Sequence, residues 1–272
     1  MTKAKSNIAT KPVVIESHSV SDAWAQVYLH VLENPGTEIA PLVVTIDGFD
    51  AETIAESEGV RQALDLLLSK KGKTSIENVA FTIFPQKYLK IARGNRHEMY
   101  KLYNGSFGRI QSANRQLNGR GLYFQRMIQY EGAPLDGNQL EWIISQYTGR
   151  TGVRRSMFQA AIFDARKDHV AQAQLGFPCM QHISFEPTKA GLVVNAFYAT
   201  QQIFDKAYGN YLGLAQLGMF MAKEMGTTLT RLNITVGVAK FERITKSDTV
   251  MKPLILEAKS LVGNCETPQV SA

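Results

Sequence analysis

The chain has 272 residues, 44% of them apolar, and carries 30 Lys and Arg against 24 Asp and Glu, a formal charge of +6. That length and apolar share allow a sizeable core in a single α/β domain over 1–272, although about 150 residues per domain is the usual guide. No apolar run approaches the ~18 residues of a membrane-crossing helix, and Met1-Thr2-Lys3-Ala4-Lys5-Ser6-Asn7 lacks the apolar centre of a secretory signal. A cytoplasmic protein without membrane contact is therefore expected. Cys179 and Cys265 are too few for a disulfide framework, and neither His169 nor His182 has partners at ligand spacing, so no metal is expected.

Residues 1–12 read as a flexible start. A helix is expected around Val20 to Leu32, an apolar strand from Leu42 to Ile46, a helix from about Ala51 to Ser69, and a strand from Val79 to Phe84 ending at Pro85. The Val-Ala-Phe-Thr-Ile composition and its flanking turn residues favour that second strand. Helices with loops fill 86 to 120, and another helix runs from about Gly137 to Tyr147, stopping at Gly149. Ala160 to Ala173 gives no clear pattern. His182-Ile183-Ser184-Phe185-Glu186-Pro187 and Ala190 to Tyr198 read as strand, glycine turn, strand, leading into a helix that begins near Asn210. Leu212, Leu214, Leu217, Phe220 and Met221 give that helix an apolar face, and Gly226 ends it. A strand follows from Leu232 to Phe241, and the polar tail 263–272 reads as frayed.

The basic residues fall in scattered groups: Lys70-Lys71-Gly72-Lys73, Arg93 with Arg96, Arg109 with Arg115 and Arg120, and Arg154-Arg155. Such clusters suit phosphate pockets better than one nucleic-acid tract. Tyr88, Tyr100, Tyr103 and Phe107 lie among them, so an RNA or DNA surface stays open.

Cys179, in Gly176-Phe177-Pro178-Cys179-Met180, precedes Asn210 by 31 residues. A lone cysteine is more often a small buried hydrophobe than a nucleophile. The order of elements between the two residues, however, resembles the catalytic core of thymidylate synthase. Upstream, Gly149-Arg150-Thr151-Gly152-Val153-Arg154-Arg155-Ser156-Met157 is similar to that family's Pro-x-Ser-Arg-Arg-x-Ile, and Asn138-Gln139-Leu140 to its Asp-Gln-Ile. Gly121-Leu122-Tyr123-Phe124-Gln125-Arg126 is similar to Gly-Pro-Val-Tyr-Gly-x-Gln-Trp-Arg, and Phe84-Pro85 followed by Glu98 to Phe-Pro-Leu-x-Thr-Thr-Lys and the helix bearing a functional Glu. The likeness covers roughly residues 80 to 245 and is a string of moderate matches.

The resemblance implies a thymidylate synthase-like fold, an α/β (α+β) arrangement in which a large mixed sheet packs with helices and dimerises through the sheet. It implies C5 methylation or hydroxymethylation of a pyrimidine nucleotide, with Cys179 adding covalently to C6 and 5,10-methylenetetrahydrofolate as the one-carbon donor. Asn210 would read the 4-oxygen and N3-H of the base, although Asn is also a common helix cap. Arg154 and Arg155 would bind the phosphate, across the subunits of a homodimer with shared active sites, or form a solvated basic pair. Glu98 and Tyr123 would organise water and protons around the ring.

Several positions depart from the family. Met180 stands for the His of Pro-Cys-His, Ser184 for a Gln, and Ala199-Thr200 for the Arg-Ser that holds phosphate, leaving Thr200 as a substrate-binding candidate. Gln202 replaces the Asp that binds folate, which makes it the cofactor-binding candidate and inclines the chemistry toward hydroxymethylation or another donor. Val238, Lys240 and Glu242 fill the Asp-x-His-x-Tyr segment that grips ribose. The Arg-Thr-Gly-Thr-Gly-Thr phosphate loop is missing, and Lys71-Gly72-Lys73-Thr74-Ser75 is its nearest equivalent, with Lys73 as the phosphate candidate. These departures leave room for a catalytically silent nucleotide-binding or protein-interaction scaffold.

Overall fold

A computed structural model describes residues 11–50, 53–171, 177–242 and 244–265. Strands β1 (Val13–Ser17), β2 (Glu38–Ile39), β3 (Leu42–Ile46), β4 (Gln159–Ala161), β5 (Met180–Pro187), β6 (Leu192–Gln202) and β7 (Leu229–Lys240) form one mixed sheet. Its order is β1-β3-β7-β6-β5-β4, with β2 pairing β7. The β1/β3 and β6/β7 pairs are parallel and the others antiparallel.

Period-two burial gives the sheet two unlike faces. Leu42, Val44 and Ile46, Val194, Ala196 and Tyr198, and Leu232, Ile234 and Val236 are buried on one face, against α1 (Val20–Glu33) and α10 (Tyr208–Glu224). The other face carries Val43, Thr45, Asn195, Phe197, Asn233 and Thr235, half-buried or exposed. Across it runs a row of hydrogen bonds: Thr45 donates to Asn233 at 3.1 Å, Asn233 to Asn195 at 2.8 Å, and Asn195 to Ser184 at 3.1 Å.

Around α1 stand α2 (Glu58–Lys70) and α11 (Lys252–Cys265), and α3 (Ile76–Ile83) lies on α10. Between α3 and β4 come α4 (Gln86–Ile91), α5 (Arg96–Ala113), α6 (Arg115–Asn118), α7 (Tyr123–Ile128) and α8 (Gln139–Gly149), and α9 (Ala165–Asp168) follows β4. Among the described residues no helix is long and apolar enough to cross a membrane.

The expected α/β character with a large mixed sheet is present, as are α1, β3, the β5-β6 hairpin and α10. The turn of that hairpin is shaped by Gly191, whose φ of 140° puts it where side chains are disfavoured. The expected strand Val79 to Phe84 is instead the helix α3. Ser75 caps it by accepting from the Asn78 N–H at 3.3 Å, and Ile76, Val79, Ala80 and Ile83 form a helical stripe buried against α10. Tertiary packing there outweighs β-propensity.

The helix expected from Ala51 starts only at Glu58, capped by Ser57, and Ala51 and Glu52 lie outside the described residues. The helix expected at Gly137 begins at Gln139, because Gly137 has a φ of 87° and Asn138 provides the cap. Of the stretches expected to be flexible, Gly263, Asn264 and Cys265 belong to α11, and β1 begins at Val13; residues 1–10 and 266–272 lie outside the description. Both β1 and α11 are additions to the expected elements.

Candidate active site around Cys179

Cys179 is the residue immediately before β5 and is half-buried. Its carbonyl accepts from the Ala199 N–H at 2.9 Å, which fixes the cysteine backbone to β6. The β5/β6 register shifts between Met180 and His182, an irregularity of the kind that re-aims side chains. The thiol faces the Thr200 hydroxyl, with Sγ and Oγ1 3.6 Å apart.

Tyr123 opens α7 from the other side. Its hydroxyl accepts from the Met180 N–H at 3.4 Å, and its ring meets that of Tyr198 edge to face at 6.4 Å. Burial, with Cys179 close by, pushes the Tyr123 phenol above its ordinary value, so it stays protonated as a donor at neutral pH. Thus Cys179, Thr200 and Tyr123 lie together.

Asn210 belongs to α10, which packs on the buried side of the sheet. The chain leaves β6 through a π-helical turn, Ile203–Ala207, and enters α10 directly. Ala207, not Asn210, holds the cap position, so Asn210 is not a helix cap but a buried residue of the first turn, 5% exposed. Wide turns of this type recur at functional sites.

The other expected residues lie elsewhere. Lys73 Nζ is 2.9 Å from Asp205 Oδ2, in the π-helical turn, and Lys71 pairs with Asp248 at 2.7 Å, so both lysine charges are balanced by carboxylates. Arg154 and Arg155 are exposed at the short 3₁₀ turn before the edge strand β4. Glu98 lies in the first turn of α5, about half exposed, 3.7 Å from Lys101. Gln202 ends β6 beside Lys240, which itself pairs with Glu38 and Glu242, and Val238 pairs with Thr200 in the ladder. None of these contacts places a charge at the thiol.

A cavity of about 260 Å³ opens away from Cys179, lined among others by Gln111, Arg120, Gln125, Arg126 and Tyr130. Beneath it Arg126 grips Asp168 in a two-pronged ion pair, 2.7 and 2.8 Å, tying α7 to α9. Burial pushes the Asp168 carboxyl up, but the Arg126 guanidinium and the Asp164 N–H outweigh it and hold the group below its ordinary range.

Two residues at the site escape the sequence pattern. Tyr198 sits on β6 two positions before Thr200, on the same face, and Tyr211 follows Asn210; both are fully buried, and neither hydroxyl has a partner among the described residues. The signal available was their spacing from Thr200 and Asn210, but buried tyrosines usually read as core. No protein-family model matches this chain, and no curated protein matches it.

Proposed function

We propose that the protein modifies C5 of a pyrimidine nucleotide with a one-carbon unit, using Cys179 as a covalent nucleophile on a thymidylate synthase-like scaffold. The observation that carries the reading is the meeting of Cys179, Thr200 and Tyr123 on one side of a sheet whose next helix brings in a buried Asn210. Addition of the Cys179 thiolate to C6 moves the C5–C6 electron pair to C5, which bonds to the one-carbon unit. C5 would then lose its proton as the donor's nitrogen leaves the one-carbon unit, water would add to that carbon for a hydroxymethyl product or a hydride from the reduced donor for a methyl product, and departure of the thiolate from C6 restores the ring. Thr200 donates to the sulfur, and Asn210 supplies an amide able to donate to a 4-oxygen and accept from N3-H.

Methylenetetrahydrofolate would supply the one-carbon unit. Gln202 is its candidate contact, since a neutral amide both donates and accepts toward a heterocycle with amide-like edges. The open sheet face supports a homodimer through the sheet, with the exposed Arg154 and Arg155 reaching a phosphate in the partner's site.

The test is tritium release from C5-labelled dUMP, UMP, dCMP and CMP, with and without methylenetetrahydrofolate. Release that disappears in Cys179→Ala supports the reading and names the base. Release that survives that substitution removes Cys179 as the nucleophile, and no release from any of the four argues for the silent binding scaffold.

A further inference from the structure

We infer that Tyr198 and Tyr211 determine the specificity of the Cys179 site, their hydroxyls holding the polar edge of an uncharged pyrimidine ring as Cys179 adds to it. The inference deepens the function proposed above and rests on it.

Both side chains are fully buried, and both hydroxyl oxygens are without a partner among the described residues. A buried polar atom with no partner is costly; the hydroxyls of Tyr100 and Tyr103 are in the same state but pack against Phe124, and it is the nearness of Tyr198 to the thiol, and of Tyr211 to Tyr198, that sets these two apart. Phenylalanine at either position would fill nearly the same space without that cost. A bound group that pairs with the two hydroxyls removes the penalty.

Their placement links them to the thiol. Tyr198 is the ladder partner of Met180, the residue after Cys179, and Ala199, the residue after Tyr198, bonds to the Cys179 carbonyl at 2.9 Å. Tyr198 also packs edge to face on Tyr123, whose hydroxyl meets the Met180 N–H. Tyr211 enters from α10 beside Asn210, and burial first, then the nearness of Tyr123, Cys179 and Tyr211, keeps the Tyr198 phenol above its ordinary range. Burial raises both phenols, so they act as neutral donors.

The polar groups gathered here are therefore the hydroxyls of Thr200, Tyr123, Tyr198 and Tyr211, all uncharged, with Asn210 preceding Tyr211 in the chain. A ring edge of carbonyl and N–H groups matches that set, whereas a phosphate calls for cations.

The experiment compares wild type with Tyr198→Phe, Tyr211→Phe and the double variant. Ligand-free melting temperatures are measured first, then calorimetric affinities for dUMP, UMP, dCMP and CMP, with ribose 5-phosphate as a probe lacking the ring. The expected result is melting at or above wild type, with affinity for the bound nucleotide roughly tenfold weaker per lost hydroxyl and ribose 5-phosphate binding unchanged. A clearly lower melting temperature in ligand-free single variants overturns the inference, because the hydroxyls would then serve the fold. Unchanged nucleotide affinity overturns it too while leaving the proposed function standing. Binding of none of the four nucleotides by wild type overturns both.

Discussion

Gly209 of α10 and Val79 of α3 stand so close that a β-carbon at 209 would lie 2.5 Å from that of the valine. One turn later Gly213 leaves the same kind of gap, where a β-carbon would be 2.8 Å from the Ala80 carbonyl oxygen. The two helices thus approach backbone to backbone through a glycine pair, and Asn210 is held in the turn between those glycines.

Replacing Gly209 by Ala should therefore force α3 and α10 apart, since the obstructing atoms are Val79 Cβ and the Ile76 carbonyl rather than a flexible side-chain end. Overpacking of this sort costs ~1–3 kcal/mol. Urea unfolding should show a lower midpoint with an unchanged slope; a midpoint equal to wild type would mean that the contact yields easily.

Asp168→Asn should be more damaging, because it leaves the Arg126 guanidinium buried without its counter-charge. Loss of one partner from such a pair costs ~3–5 kcal/mol. The pH dependence has a definite sign. Asp168 is held below its ordinary carboxyl value in the folded chain, so the unfolded chain binds the proton first. The stabilisation is complete above about pH 4 and is lost as acid carries the pH down through the lowered value. Acid titration of unfolding free energy should show this slope in wild type, reduced in Asp168→Asn; equal slopes would assign the acid sensitivity to other carboxylates.

Cys179 should react with iodoacetamide at a rate set by its thiolate, and Thr200 should assist by donating to the sulfur. Thr200→Val is expected to slow alkylation severalfold while leaving the melting temperature nearly unchanged. Intact-mass kinetics at neutral pH would read this directly, and an unaltered rate would remove Thr200 from the thiol's activation.

For the proposed dimer, Phe197 is the sensitive position. It is 39% exposed near the middle of the open face, with His182 and Thr235 beside it in register. Phe197→Lys would place one charge against its copy and should shift light-scattering mass from dimer to monomer at micromolar concentration. A wild type that is already monomeric would rule out dimerisation through this face.

How much of this was legible from the residues depended on range. Leu42 to Ile46 is a short apolar-rich run, and it forms a strand with those limits. The hairpin before α10 was equally plain, since a glycine turn separates two β-rich runs. The segment 76–83 misled because Val79, Phe81, Thr82 and Ile83 suit either state, and its helical form depends on a glycine pair some 130 residues later. At the site, Cys179 and Thr200 are brought together by the adjacent strands of one hairpin. Lys73 shows the limit: a lysine beside glycine reads as a phosphate contact, but its partner, Asp205, is supplied by a turn 132 residues away.

The row from Thr45 through Asn233 and Asn195 to Ser184 has a consequence for how the strands align. Apolar alternation punishes a slip of one residue, which turns the core side outward, but it is blind to a slip of two. A two-residue slide of β6 along β7 would keep every apolar side chain inward yet part Asn195 from Asn233 and break the row in the middle. The polar side thus rejects the misalignment that the oily side would accept, and four strands share a single index mark.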